Sequence, residues 1–273
     1  MNYRHAFHAG NAADCVKHAL LVALARTMLA KPKPLFVLDT HAGIGSYDLT
    51  AAEATRTGEF HNGIAKLRHS PPEALEDFVA LSGTADRYNG SPALIRALLR
   101  PGDRLALCEL HKEDAATLRR RFHGDPQIQI HQRDGYEALT ALLPPPERRG
   151  LILIDPPFER TDEFAAITAG LGVAWRKFRT GVFAIWYPVK HRAPVRDLFD
   201  AIVTSAIPDV ITCEVMFRPP LDPARLNGCG VLIVNAPYGF TTAAPPILNA
   251  LRDRLAEPEG SAGISVLTEE TPK

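Results

Sequence analysis

Seven short apolar runs, each rich in Val, Ile, Leu or Phe, punctuate the chain at residues 35–39, 104–110, 128–133, 151–155, 182–187, 210–217 and 231–235. Their apolarity is continuous rather than alternating, which is the pattern of strands buried on both faces. Helix-like stretches such as 115–122, 164–178 and 192–204 lie between them. Strands alternating with helices in this way predict a doubly wound α/β sheet of seven strands. A helix precedes the first strand: Asn11 is a good cap, Asp14 sits three residues on, and apolar residues dominate 15–29 before Lys31-Pro32-Lys33-Pro34 ends it.

One interval breaks the rhythm. Residues 47–99 separate the first two strands by far more than a helix and two loops require. The interval holds helix-like pieces at 63–68 and 72–81 and a turn-rich Asn89-Gly90-Ser91-Pro92. The expected organisation is therefore a Rossmann-like domain over 1–46 and 100–273, with 47–99 as an inserted helical subdomain. The Pro, Gly, Ser and Glu content of 257–273 predicts a loosely held terminus, with 263–267 the one stretch able to add a short strand.

A chain of 273 residues, 46% of them hydrophobic, buries a substantial core. The four cysteines, Cys15, Cys108, Cys213 and Cys229, are scattered through apolar segments without the paired spacing of a zinc site or disulfide framework, and are expected as reduced core thiols. The opening residues lack the apolar stretch of a signal peptide, and no segment reaches the roughly 18 uninterrupted apolar residues that span a membrane, so the expected location is the cytoplasm. With 31 basic and 31 acidic residues, bulk charge gives nucleic-acid binding no support. Local clusters have to supply it: Arg119-Arg120-Arg121, Arg148-Arg149, Arg176-Lys177 with Arg179, and Lys190-His191-Arg192. Each is equally readable as a solvated helix or loop face.

The most specific chemistry lies at Leu151-Ile152-Leu153-Ile154-Asp155-Pro156-Pro157-Phe158, where an apolar strand delivers a carboxylate, a rigid diproline and an aromatic ring to its carboxyl end. Open α/β sheets bind ligands at that edge. An exocyclic adenine nitrogen is a poor nucleophile because its lone pair is delocalised into the ring, so an enzyme that alkylates it must accept hydrogen bonds from the amino hydrogens. The Asp155 carboxylate and the Pro156 carbonyl are two such acceptors, and the carboxylate stabilises charge building on the nitrogen or takes its proton. Phe158 offers a stacking face for a base turned out of its helix or loop.

A second strand runs into a glycine loop at Val37-Leu38-Asp39-Thr40-His41-Ala42-Gly43-Ile44-Gly45, which admits close approach of a nucleotide-like ligand. Asp48 occupies the third glycine position of the dinucleotide fingerprint, and its charge opposes a pyrophosphate. S-adenosylmethionine carries no phosphate and escapes that objection. Glu109 ends the second strand, where an acid in this fold class accepts from ribose hydroxyls. Asp134-Gly135 follows the third strand, placing a carboxylate to accept from an adenine amino group. The polar, aromatic start Tyr3-Arg4-His5-Ala6-Phe7-His8-Ala9-Gly10-Asn11 suits substrate or cofactor binding better than zinc, since no cysteine pair accompanies its histidines.

With these residues assembled, the whole chain resembles the RlmJ family of bacterial large-subunit (23S) ribosomal RNA adenine-N6 methyltransferases. The resemblance is carried by the N-terminal motif and by Leu38-Asp39-Thr40-His41-Ala42-Gly43, Arg56-Thr57-Gly58-Glu59, Gly90-Ser91-Pro92, Arg148 to Pro157, and Trp186-Tyr187-Pro188. It implies a class I S-adenosylmethionine-dependent methyltransferase fold with an inserted helical subdomain. It also implies cofactor contacts at His18, His41, Gly43, Ser91, Glu109, Asp134, Gly135 and Asp155, with Asp155 catalytic together with Pro156 and Phe158. Tyr3 and Phe158 are then placed at the target base, and the partner is 23S ribosomal RNA, free or partly assembled, met by a monomer that needs no metal. The sequence departs from the family at Phe158, where tyrosine is usual, and at Asn89, which replaces a proline; the first keeps the stacking face and the second leaves Ser91 in place. Two rivals stand beside this expectation. A DNA adenine methyltransferase would use the same tetrapeptide, since only contacts to 2′-hydroxyls distinguish the polymers. A non-catalytic nucleic-acid-binding or DNA-utilisation protein could retain the scaffold, although an intact Asp155 and cofactor loop argue against it.

Overall fold

The computed structural model describes residues 4–270. A 3-10 turn, His5–Phe7, leads into helix α1 (Ala12–Leu29) and strand β1 (Phe36–Asp39). The interval before the next strand of the main sheet holds β2 (Ser46–Asp48), α2 (Ala52–Thr57), α3 (Ile64–His69), α4 (Glu76–Leu81), β3 (Gly83–Thr84), β4 (Arg87–Asn89) and α5 (Ser91–Leu98). Regular alternation then resumes through β5 (Arg104–Cys108), α6 (Lys112–Arg121), β6 (Ile128–His131), α7 (Gly135–Ala141), β7 (Gly150–Ile154), α8 (Glu163–Lys177), β8 (Val182–Val189) and α9 (Arg192–Thr204). The chain ends with β9 (Val210–Met216), β10 (Gly228–Val234), α10 (Phe240–Leu255) and β11 (Ser261–Thr268).

The main sheet has the order β11-β9-β10-β8-β7-β1-β5-β6. The strands β1, β5, β6, β7 and β8 are parallel, while β10 runs antiparallel to β8 and β9, and β11 antiparallel to β9. This is a Rossmann-like, doubly wound sheet, with the strand order reversing beside β1. The expected count of seven strands needs correction to eight. The terminus expected to be loose pairs along β9 from Ser261↔Met216 to Thr268↔Val210. No residue of this edge strand is fully buried, Ala262 and Ile264 packing against the cluster on the α1 and α10 side of the sheet and Leu267 against the cluster on the other side, so its Ser, Gly and Ala residues gave no long apolar run.

The central strands are hydrophobic throughout because both faces are covered. All five residues of β7 are buried, with α1, α5 and α10 on one face and α7, α8 and α9 on the other. Helix α1 is itself buried on every side, from Ala13 to Ala25, because helices of the 47–99 interval and α10 close over the side that faces away from the sheet. Each leucine buried there contributes about 1.5–3 kcal/mol. That interval is less purely helical than expected, since β2, β4 and β3 form a three-stranded sheet. Asn89 ties that sheet down by donating from Nδ2 to the Leu81 carbonyl at 2.9 Å. All four cysteines are free and buried. Among the described residues no helix is long and apolar enough to cross a membrane.

Candidate active site

The parallel strands bring their carboxyl ends to one edge, and register fixes which residues meet there. Asp39, last residue of β1, pairs with Leu107 of β5 and Leu153 of β7. Glu109 and Asp155 each lie two residues further along, about 7 Å beyond that level, so they flank the exit of β1 from its two neighbours. The Asp134 turn stands beyond the end of β6, where His131 is level with Cys108. Around these acids lies a cavity of about 660 Å³, within the range of small-molecule sites. Its walls include His18, His41, Gly43, Ser91, Glu109, Asp134, Gly135, Asp155, Pro156 and Phe158. Ten of the eleven residues singled out from the sequence therefore face one space. The other, Tyr3, lies outside the described residues.

Asp155 is held by a partner that the sequence did not disclose. Lys17, on α1, reaches Asp155 Oδ2 at 2.6 Å and Asp14 Oδ1 at 2.9 Å, with only 5% of its side chain exposed. Burial penalises the Lys17 ammonium, but the Asp14 and Asp155 carboxylates outweigh it and hold its pKa well above the usual lysine value. Asp14, likewise buried, is held well below the carboxylate range by His5 and Lys17 against the opposing cost of burial. The other oxygen of Asp155 and the Pro156 carbonyl accept no hydrogen bond among the described residues, and both residues border the cavity. Phe158 stands beside them with φ 51°, an uncommon backbone state for a bulky residue, its ring edge-on to Phe164 and to Trp186 at 5.2 and 5.5 Å. Lys17 Nζ lies 5.7 Å from the centre of the same Trp186 ring.

The other end of the cavity is built from the glycine loop and the turns after β5 and β6. Glu109, on the cavity wall, accepts from Gly43 N at 2.9 Å and His111 N at 2.6 Å, so one carboxylate holds two loops. Burial raises its pKa. Gly43 has φ +59°, and a Cβ there would stand 2.3 Å from the Tyr47 hydroxyl, which only glycine avoids. No helix follows this loop. The chain runs into β2, so the helix N-terminus that would cradle a pyrophosphate is missing, in keeping with Asp48 at the third fingerprint position. Asp134 caps α7, its Oδ1 accepting from Tyr136 N and Glu137 N at 2.8 and 3.1 Å. A Cβ on Gly135 would meet the Thr40 carbonyl at 2.4 Å, so glycine lets this turn press against β1's exit.

His41 has a defined tautomer. The Thr40 hydroxyl donates to the Leu153 carbonyl at 2.9 Å and so accepts, at 2.8 Å, from His41 Nδ1–H, leaving Nε2 as a lone-pair acceptor. Burial lowers the His41 pKa to about 4, so the ring is neutral at physiological pH. His18 is neutral for the same reason and contacts the Tyr88 hydroxyl through Nδ1 at 2.6 Å. Asp39 sits beneath these groups, accepting from Ser91 Oγ at 2.7 Å and His41 N at 3.2 Å, and burial lifts its pKa to about 7. The donor set suits S-adenosylmethionine: carboxylates for ribose hydroxyls and an amino group, a buried acid for a cation, and no phosphate cradle. Among the described residues no group of three or more His, Cys, Asp or Glu is arranged to hold a metal ion.

Two sequence motifs far apart in the chain dock on each other. Glu59 of Arg56-Thr57-Gly58-Glu59 accepts from Asn11 Nδ2 at 2.9 Å and meets His8 Nδ1 at 2.9 Å, while the Thr57 hydroxyl donates to the Phe7 carbonyl. Asp14 does not complete a capping box by reaching back to Asn11. It receives Gly10 N at 3.0 Å and His5 Nε2 at 2.8 Å, which ties the N-terminal segment to the Lys17 pair. The signal for Lys17 was one lysine, three residues after an aspartate, in an otherwise apolar helix. A hydrogen bond of 2.7 Å from the Tyr136 hydroxyl to Glu163 Oε1 joins the Asp134 turn to the start of α8, just past the Phe158 loop; nothing in the sequence pointed to it.

The model of the family described as "Ribosomal RNA large subunit methyltransferase D, RlmJ" matches residues 32–268. The chain is 36% identical to "Ribosomal RNA large subunit methyltransferase J" of Escherichia coli K12 over 97% of its own length and 98% of that protein. The protein of the same name in Haemophilus influenzae Rd is also 36% identical, with the same coverage. Among solved structures, protein LPL1258 from Legionella pneumophila superposes with a TM-score of 0.87 at 34% identity, covering 94% of this chain and 98% of that one. Two relatives matched nearly end to end, a family model that spans most of the chain and a solved structure of the same fold together place it: the chain belongs to the RlmJ family of ribosomal RNA large subunit methyltransferases.

Proposed function

We propose that the protein methylates the N6 amino group of an adenine in 23S ribosomal RNA, acting on a base turned out of its stack. The observation that carries this is the asymmetric environment of Asp155: Lys17 occupies one carboxylate oxygen, the other accepts no hydrogen bond among the described residues, and Asp155, Pro156 and Phe158 all line the cavity. S-adenosylmethionine, when bound, supplies an electrophilic methyl group on sulfur. The Asp155 oxygen away from Lys17 and the Pro156 carbonyl accept the two amino hydrogens of the adenine, which orients the nitrogen lone pair out of the ring system. As the nitrogen–carbon bond forms and the methyl–sulfur bond breaks, with S-adenosylhomocysteine leaving as the neutral thioether, the carboxylate would stabilise positive charge on the nitrogen and receive its proton. Lys17 holds that carboxylate in place through the 2.6 Å contact. Phe158 stacks on the base, while Glu109 and Asp134 accept from the hydroxyls and amino group of the cofactor's adenosine.

The test is methyl transfer from labelled S-adenosylmethionine to protein-free 23S RNA, with nucleosides separated by mass spectrometry. N6-methyladenosine is expected, and Asp155→Asn should lower kcat by at least about 10²-fold while S-adenosylmethionine still binds. Methylation of another atom, or of duplex DNA in preference to RNA, overturns the assignment, as does a loss of only a few-fold in Asp155→Asn.

A further inference from the structure

Turning an adenine out of its stack leaves a gap in the strand and a distorted backbone beside it, so a group at the cavity mouth must fill the one and hold the other. Three of the four basic clusters have other work or another place. Arg149 donates to the carbonyls of Lys33 and Met28 just before β7 begins, at the edge of the sheet away from the site. The Arg176 to Arg179 group lies before the start of β8, at that same far edge, with Arg179 over the Trp175 ring. Arg121 donates to the Ile44 and Ser46 carbonyls beneath the glycine loop. Only Lys190 to Arg192 follows a strand at the site edge. Within it Arg192 is taken by Glu214 at 2.8 Å, whereas the exposed Lys190, on the cavity wall, makes no ion pair or side-chain hydrogen bond among the described residues.

The loop over residues 217–227 stands next to Lys190. Met216, Gly228 and Val189 are level across β9, β10 and β8, so the loop rises over the carboxyl end of β8, one strand from Asp155, and its Ala224 and Leu226 line the cavity. It is held rigidly. Buried Asn227 donates from Nδ2 to the Lys190 and Asp222 carbonyls, both at 2.7 Å, and Arg218 Nη1 donates to the Leu226 carbonyl at 2.9 Å. Pro219, Pro220 and Pro223 restrict what remains. At its tip Leu221 is 86% exposed. A lone exposed leucine is ordinary on a protein surface; here it crowns a braced loop whose base forms the wall of the site. The charge around it favours an anion: Arg218 and Arg225 share the single carboxylate of Glu257 at 2.8 and 3.7 Å, and Asp222 Oδ1 accepts from Ala224 N, which leaves the cation of Lys190 over.

We propose that this loop is a strand-separating lip for RNA, in which Leu221 enters the space vacated by the target base while Lys190 and Arg225 hold the flanking phosphates. The proposal rests on RNA adenine methylation as the function. Its test compares a 23S hairpin carrying the mapped target adenine within the stem with the same strand left unpaired. Leu221→Ala should lower the ratio of kcat/KM on paired over unpaired RNA by about ten-fold, with the melting temperature unchanged, and Leu221→Phe should restore it. Lys190→Ser and Arg225→Ser should each reduce the slope of log affinity against log salt by about 0.7–0.9. An unchanged ratio in Leu221→Ala, or salt slopes equal to wild type, overturns the lip and leaves the methylation assignment standing. A wild-type enzyme inactive on every RNA removes both. Loss of binding to a ribosomal protein with RNA kinetics intact would make the loop a protein-docking surface instead.

Discussion

Replacing Lys17 with methionine keeps most of the side-chain volume and removes the charge, which isolates what the ammonium does for Asp14 and Asp155. Both carboxylates are largely buried, with 3% and 14% of their side chains exposed, so the variant leaves buried anions without a counter-charge. Breaking a buried pair from one side costs about 3–5 kcal/mol, or roughly 6–20 °C in melting temperature for a protein of this size. The pH dependence gives the sign. In wild type the raised Lys17 pKa contributes stability that is fully present below the unfolded lysine value and lost only as pH rises through the folded one. The lowered Asp14 pKa contributes stability present above the unfolded carboxylate value and lost as pH falls through the folded one. Between those limits both contributions are complete. In Lys17→Met one of the charges that hold the Asp14 pKa down is gone, so less of that carboxylate's stabilising contribution remains as pH rises, and the variant should fall further below wild type at pH 8 than at acid pH. Catalysis should fall as well, by up to about 10²-fold in kcat, because Asp155 is no longer pinned where it would accept from the adenine amino group. Melting curves across pH, paired with single-turnover rates on RNA, read both effects. Equal melting temperatures at pH 5 and 8, or a destabilised variant whose folded fraction turns over at the wild-type rate, would refute the positioning role; Lys17→Met with Asp155→Asn should recover stability without recovering activity.

Glu109→Gln should raise the dissociation constant for S-adenosylmethionine more than it lowers the saturated rate, because ribose contacts are alike in ground and transition states; unchanged affinity in titration calorimetry removes Glu109 from the cofactor site. The Asp39 carboxyl, lifted to about 7 by burial, should lose its proton when the cationic cofactor binds beside it, since a nearby positive charge lowers an acid's pKa. Calorimetry at pH 6.5 in buffers of different ionisation enthalpy should show proton release in wild type and none in Asp39→Asn, and equal heats in wild type would contradict it. Phe158→Tyr should be nearly silent, whereas Phe158→Ala should lose about 1–3 kcal/mol of base stacking, seen as poorer kcat/KM for RNA with cofactor affinity retained; a melting temperature that collapses by the equivalent of about 3–5 kcal/mol instead would make the ring core packing.

What could be read from the sequence followed from burial on two faces. Strands β1, β5, β7 and β8 are continuous apolar runs because helices cover both sides, and the acids at their ends stood out against that apolarity. Edge strand β11 was legible only over residues 263–267, because none of its residues is fully buried and small or polar side chains make up much of the rest. Helix α5 was hidden by its own start: Asn89-Gly90-Ser91-Pro92 reads as a turn, yet proline in a first helical turn gives up only an N–H that has no helical partner. Helix α10 was concealed by Pro245-Pro246, which sit inside it near its beginning. Helix α7 opens on Gly135, a residue chosen for close approach to β1 rather than for helix propensity.

The site divides along the same line. Glu109, Asp134 and Asp155 are legible because topology alone brings strand ends together, and a local motif marks each. Lys17 meets Asp155 across 138 residues of sequence, and no local pattern encodes a contact of that range. Asp14 links the polar N-terminal segment to the tetrapeptide that begins at Asp155. Its Oδ1 faces Lys17, and its Oδ2 takes both Gly10 N and His5. The segment carrying His5 and His8 is pinned a second time by Glu59. Any movement of residues 5–10 toward or away from the cavity mouth is therefore felt at Asp14, and through the Lys17 ammonium at the carboxylate proposed to receive the amino proton. A chain end of polar and aromatic residues, placed ahead of an apolar helix, has a physical purpose in that coupling.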